Sequence, residues 1–133
     1  MCKIFDKLQP YGSIFLRLGL GVIFIYHGYG KVFGGTTALG SAWNPWGMPA
    51  ILQLLVAWGE FLGGIAILIG FLTPYAASGI IIIMLGAIIT VHGKNGFSMM
   101  NKGFEYNYAL IMMCLALIAS GPGKFSISLP KKS

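Results

Sequence analysis

The chain has 133 residues, 56% of them hydrophobic and 9% charged, where an ordinary soluble domain carries about 25% charged residues. Nine Lys plus Arg and three Asp plus Glu are too few to coat a folded domain of this size, and a mean hydropathy of +0.80 excludes a soluble globule: the solvent is lipid. The net charge of +6 sits on scattered Lys and Arg without interleaved aromatics, which excludes a nucleic-acid partner and leaves the basic residues as topology signals.

At about 20 residues per spanning helix, the length gives one domain over residues 1–133, an all-α integral membrane four-helix bundle. The first apolar run, Ser13 to Phe33, carries Arg17 near one end and His27 and Lys31 near the other. Its rival reading is a signal peptide, with Lys3 and Lys7 as the basic start and Ala38-Leu39-Gly40 as the cleavage site, but the run is too long and too charged for that. Gly34 to Met48 reads as an interfacial loop around Trp43-Asn44-Pro45-Trp46, since Trp favours the headgroup level. The second span runs from Pro49 to Gly70, and Gly70-Phe71-Leu72-Thr73-Pro74 turns the chain into a third, Pro74 to His92. After a polar loop to Glu105, the fourth span covers Tyr106 to Gly121 and ends at Gly121-Pro122-Gly123.

Lys3, Lys7, Arg17, Lys124, Lys131 and Lys132 fall on the side of both termini, and Lys31, Lys94 and Lys102 on the other. Six against three predicts both termini in the cytoplasm, in the inner membrane of a bacterium.

An ionisable side chain deep in a bilayer faces the bundle interior and finds a partner. Glu60 lies about 15 Å from either end of the second span, so it has to be neutral or paired. His27 and Lys31 lie within about 80° of Arg17 around the first helix, so all three project from one stripe. The outer half therefore collects His27, Lys31, His92 and Glu105, with Gln53 seven residues before Glu60 on nearly the same face. A polar outer pocket with a buried acid is the sharpest expectation. Glu60 and His27 would do its chemistry, and Lys31, Arg17, Gln53, His92 and Glu105 would bind the ligand. Glu60 has two candidate partners, Arg17 from the cytoplasmic side or His27 and Lys31 from the outer side, and Arg17 can also snorkel to the headgroups. The plainer reading treats these polar residues as interhelical glue.

No metal site is expected, since neither His-x-x-x-His nor Glu-x-x-His occurs, and Cys2 and Cys114 have no metal or redox spacing. Gly59 with Gly63, and Gly79 with Gly86, are expected to let helices approach closely. Gly19 and Gly21 are not a dinucleotide fingerprint, because no strand precedes them.

The chain resembles the DoxX family of small four-helix membrane proteins. The resemblance rests on Arg17-Leu18-Gly19-Leu20-Gly21, His27-Gly28 and Lys31-Val32-Phe33-Gly34, then Trp58-Gly59-Glu60-Phe61-Leu62-Gly63-Gly64. Leu68 to Pro74, Val91-His92, Gly103-Phe104-Glu105-Tyr106 and Gly121 to Ser126 follow in order. The family often follows its Gly-Pro-Gly with a Ser-Leu-Asp ending, whereas Ser126 is followed here by Ile127-Ser128, which removes one acidic partner for Arg17. The resemblance implies a subunit of a quinone-linked membrane redox assembly. No flavin, haem or iron–sulfur motif is present, so the chain has no intrinsic cofactor and electrons come from a redox partner protein. A quinone headgroup or a small anionic sulfur species would occupy the pocket. The alternatives are a small-solute or proton-coupled transporter, which four spans would form best as a homo-oligomer, and a noncatalytic anchor or assembly factor.

Overall fold

The computed structural model describes residues 3–33 and 49–127. The interfacial loop expected at Gly34 to Met48, the cleavage motif within it, Cys2, Lys131 and Lys132 lie outside the described residues. Five α-helices and no strand occur among those described: α1 (Lys3–Leu8), α2 (Gly12–Phe33), α3 (Ala50–Ile69), α4 (Thr73–Ala87) and α5 (Glu105–Ser120). The spans α2 to α5 form an antiparallel ring in which α2 packs on α3, α3 on α4, α4 on α5 and α5 back on α2, with the first and third of these contacts the most extensive. The expected all-α membrane bundle is the observed one.

Its inside and outside follow membrane logic. Phe15, Val22, Ile82 and Ile89 are exposed, as side chains facing lipid should be, whereas Ser13, Arg17, Gln53, Glu60, Thr73 and Asn107 are buried. Between them lies a core of Leu20, Phe24, Ile67, Ala77, Ile80, Met84, Leu110, Ile111, Cys114 and Leu117. The helices α2, α3 and the stretch Thr73–Thr90 are long and apolar enough to cross a membrane, and α5 is a shorter apolar helix.

Two boundaries differ from expectation. The first helical stretch begins before Ser13: α1 precedes α2 and is joined to it by a 3₁₀ turn, Gln9–Tyr11, where Pro10 lacks the donor an α-helix interior needs. The third span leaves regular α geometry at Ala87, and Ile88–His92 continue as a π-turn. The run Ile88-Ile89-Thr90-Val91 is β-branched throughout, which crowds an α-helix, and the Thr90 hydroxyl donates back to the carbonyl of Gly86 at 2.8 Å.

Glycine sets the approach of α2 to α3. A Cβ on Gly28 would strike the backbone nitrogen and Cα of Phe61, and one on Gly64 would lie 2.7 Å from the nitrogen of Ile25. Among the described residues, Gly59 and Gly63 meet only the tips of Ile83 and Ile80 on α4, while Gly79 and Gly86 have nothing within 4 Å of a Cβ. The close approach expected at Gly79 and Gly86 is therefore not found among the described residues, because that side of α4 faces away from its neighbours. Spacing alone cannot tell a packing stripe from a lipid-facing one.

Candidate functional site

The two ends of the bundle carry different chemistry. At the end that holds residues 12, 70 and 121, α3 closes in a Schellman motif: Phe71 N–H donates to Ala66 O, Gly70 N–H to Ile67 O, and Gly70 has φ 75°. Arg17, 4% exposed, projects from α2 into this end. Its Nε donates to the carbonyl of Ile67 (3.1 Å), Nη2 to Leu68 (2.8 Å) and Phe125 (3.0 Å), and Nη1 to Pro122 (3.1 Å) and Lys124 (2.9 Å). One guanidinium thus joins the last turn of α3 to the segment after α5. That segment is also tied by Ile127 N–H to Ile69 O at 3.1 Å. Arg17 does not pair with Glu60, and it lies toward the opposite end of α2 from His27 and Lys31. With no acid after Ser126, backbone carbonyls satisfy the guanidinium. A Cβ at Gly70 would intrude on Ser126 and on the guanidinium carbon, so glycine there serves both the left-handed turn and the arginine.

At the other end, Lys31 Nζ donates to Glu60 Oε2 at 2.7 Å. Glu60 is buried, whereas a quarter of the Lys31 side chain remains exposed. The acid near mid-span is therefore paired from α2, by Lys31 rather than Arg17. Beside the pair opens a cavity of about 380 Å³ lined from α2, α3, α4 and α5, within the usual range for small-molecule sites. Phe24, Met84, Ala87 and Leu110 give it an apolar floor. His27, Lys31, Glu60, His92, Lys102, Tyr106 and Asn107 give it polar walls, and Met99 and Gly103 complete it.

The loop after α4 forms the lid over this cavity. Phe104 N–H donates to Gly96 O, Glu105 N–H to Phe97 O and Gly103 N–H to Ser98 O, all between 2.9 and 3.0 Å. Gly103 packs so closely on Gly96 and Phe97 that no Cβ fits. The carbonyl of Lys102 accepts from His92 Nδ1 at 2.8 Å and from Asn95 Nδ2 at 3.2 Å. The lid is thereby fastened to the π-turn, a local geometry that often re-aims side chains at functional sites.

Four of the expected site residues, His27, Lys31, Glu60 and His92, line one cavity. Gln53 is buried but is not among the residues lining it. Glu105 also stays outside, and its Oε2 accepts from Met99 N–H at 2.9 Å, holding the lid turn. Sequence reasoning missed Asn107, Lys102, Met84 and Met99 as cavity residues. Asn107 left a readable signal: it shares the spacing of Leu110, Cys114 and Leu117, so a polar side chain sits on the core face of an apolar helix. Lys102 left none, because a loop lysine looks like a topology signal. Among the described residues, no three His, Cys, Asp or Glu side chains gather as metal ligands.

Helices with apolar outward faces, packed around a core with a Lys31–Glu60 ion pair and a cavity beside it among the described residues, define a small integral membrane protein. The chain belongs to the DoxX family, whose model matches residues 12–93. It is 33% identical over 115 residues to the protein named "Putative oxidoreductase CatD" of Bacillus subtilis (strain 168), covering 86% of this chain and 84% of that protein. It is 32% identical over 123 residues to "Inner membrane protein YqjF" of Escherichia coli (strain K12), covering 91% of this chain and 92% of that one. No solved structure matches it significantly.

Proposed function

We propose that the lidded cavity holds the headgroup of a quinone and that the chain is the quinone-binding membrane subunit of a redox assembly. The observation that carries this reading is the Lys31–Glu60 pair at the wall of a cavity with an apolar floor. Phe24, Met84 and Leu110 offer the surface a carbon ring needs, and the surrounding bilayer is where quinones dissolve. Interconversion of a quinone and its quinol takes up or releases two electrons and two protons. The chain's own contribution is to the protons. Glu60 and His27 are the groups able to exchange them with ring oxygens, and Lys31 holds the carboxylate in place. A partner protein that carries the redox cofactor supplies or takes the electrons. One relative is named as an oxidoreductase, which agrees with this class of activity.

Both termini are cytoplasmic in this reading and the cavity opens in the outer half. Lys3, Lys7, Arg17 and Lys124 lie at one end of the described structure and Lys31, Lys94 and Lys102 at the other, and the bias follows the positive-inside rule. Gentle purification from native membranes, with mass spectrometry of the organic extract and of co-purifying proteins, tests the proposal. The expected result is a stoichiometric quinone together with a redox partner, the quinone being lost from the Glu60→Gln variant. A folded chain that carries neither overturns it.

A further inference from the structure

The end of the bundle that Arg17 clamps carries a second feature, remote from the cavity. α2 alone, 22 residues long, rises about 33 Å, enough to cross a hydrocarbon layer of about 30 Å. The helical stretch nevertheless starts at Lys3, so α1 and the Gln9–Tyr11 turn lie at headgroup level. No residue of α1 is buried, and its main contact is with that turn. Ile4, Phe5 and Leu8 are each more than half exposed and lie within about 100° of one another around the helix. Lys3 and Lys7, one turn apart and both exposed, form the rim of this apolar side. Among the described residues Asp6 makes no ion pair with either. About 6 Å further along the axis, Tyr11 carries a third cation: Lys124 Nζ lies 4.9 Å from its ring centroid and 3.5 Å from its hydroxyl. Arg17 holds the Lys124 carbonyl, which fixes the backbone from which that lysine projects and leaves its ammonium exposed.

We infer that this end of the protein is a binding site for an anionic phospholipid, in which Lys3, Lys7 and Lys124 hold the headgroup phosphate while Ile4, Phe5 and Leu8 enter the acyl layer beside it. The pairing of the two surfaces on one short helix selects this partner. A soluble acidic partner would leave the apolar side in water, and a zwitterionic lipid would bring three lysines no net counter-charge. In the orientation proposed above, the site faces the cytoplasmic leaflet, whose anionic lipids attract basic segments flanking a span. It lies at the opposite end of the bundle from the cavity and does not depend on what the cavity holds.

The test reconstitutes the full chain in phosphatidylcholine vesicles and reads, by electron spin resonance, the relative association of trace spin-labelled phosphatidylglycerol and spin-labelled phosphatidylcholine. Phosphatidylglycerol should associate at least about fivefold more strongly, the effect of one lysine beside an anionic headgroup, and the preference should shrink in high salt. The triple variant Lys3→Gln, Lys7→Gln, Lys124→Gln, confined to exposed side chains, should bring the two lipids level, whereas Lys94→Gln at the other end should keep most of the preference. Equal association of the two lipids with the parent chain overturns the inference. So does a preference that the triple variant retains, or one lost equally with Lys94→Gln. Abolition of the preference by millimolar inorganic phosphate at constant ionic strength would overturn the lipid as the occupant.

Discussion

Replacing Arg17 by Lys keeps the charge and removes the fork. The guanidinium has five N–H donors and makes five hydrogen bonds to carbonyls on two separate segments, Ile67 and Leu68 at the end of α3, and Pro122, Lys124 and Phe125 beyond α5. An ammonium has three donors radiating from one point, so at least two of these carbonyls lose their partner. Hydrogen bonds to a charged group contribute about 1.5–3 kcal/mol each, which puts the loss near 3–6 kcal/mol, a large part of the total stability of a domain. Reversible unfolding in mixed micelles measures that loss. Hydrogen exchange at Ile127, whose N–H is tied to Ile69, should show the C-terminal segment opening first. His27 is ten residues and about 15 Å further along α2, so ligand affinity at the cavity should not change. An Arg17→Lys protein within about 1 kcal/mol of the parent would refute the clamp, and so would a fully stable one that no longer binds its ligand.

The Lys31–Glu60 pair should behave as a coupled unit. Lys31→Met strands a buried carboxylate and should cost about 2–4 kcal/mol, kept to the lower part of the range for such pairs by the partial exposure of Lys31. The double variant Lys31→Met with Glu60→Gln should recover part of that loss, and simple additivity of the two substitutions in a double-mutant cycle would contradict the pairing. Among the glycines, Gly28→Ala must push Phe61 and the α3 backbone away and should cost about 2–3 kcal/mol. Gly79→Ala, with open space around its Cβ, should be neutral or stabilising by up to about 1 kcal/mol. The unfolding midpoints of the two variants check both, and equal effects would refute the assignment of the close helix contact.

The bundle was legible in the sequence because lipid imposes a simple rule: runs of apolar residues must be helices, and the turns at Gly70 to Pro74 and Gly121 to Gly123 punctuate them. The burial of Glu60 and the shared face of His27 and Lys31 were legible for the same reason, since few charges occur within spans and each has to find a partner. What the sequence left open was which partner. Arg17 and Lys31 occupy one stripe of α2, and only depth along the helix separates them. The arginine's actual partners are backbone carbonyls, which have no sequence signature at all. Glu105 and Lys102 show the same limit from the other side, since two residues three positions apart, one opening α5 and one in the loop before it, divide between a turn cap and a cavity wall. Their assignment depends on how the lid folds over Gly103 rather than on residue type. The glycines divide likewise, Gly28 and Gly64 into a contact and Gly79 and Gly86 into open space.

The central claim, that the lidded cavity is where a quinone binds, is tested most directly by photolabelling. The purified chain in nanodiscs is illuminated with an azido-benzoquinone, digested, and its adducts located by mass spectrometry. Labelling concentrated on His27, Tyr106 and the lid residues Met99 to Gly103, suppressed by excess unlabelled benzoquinone and weakened in Glu60→Gln, is the predicted result. Adducts spread over lipid-facing positions such as Phe15, Ile82 and Ile89, with none competed away, would contradict the account.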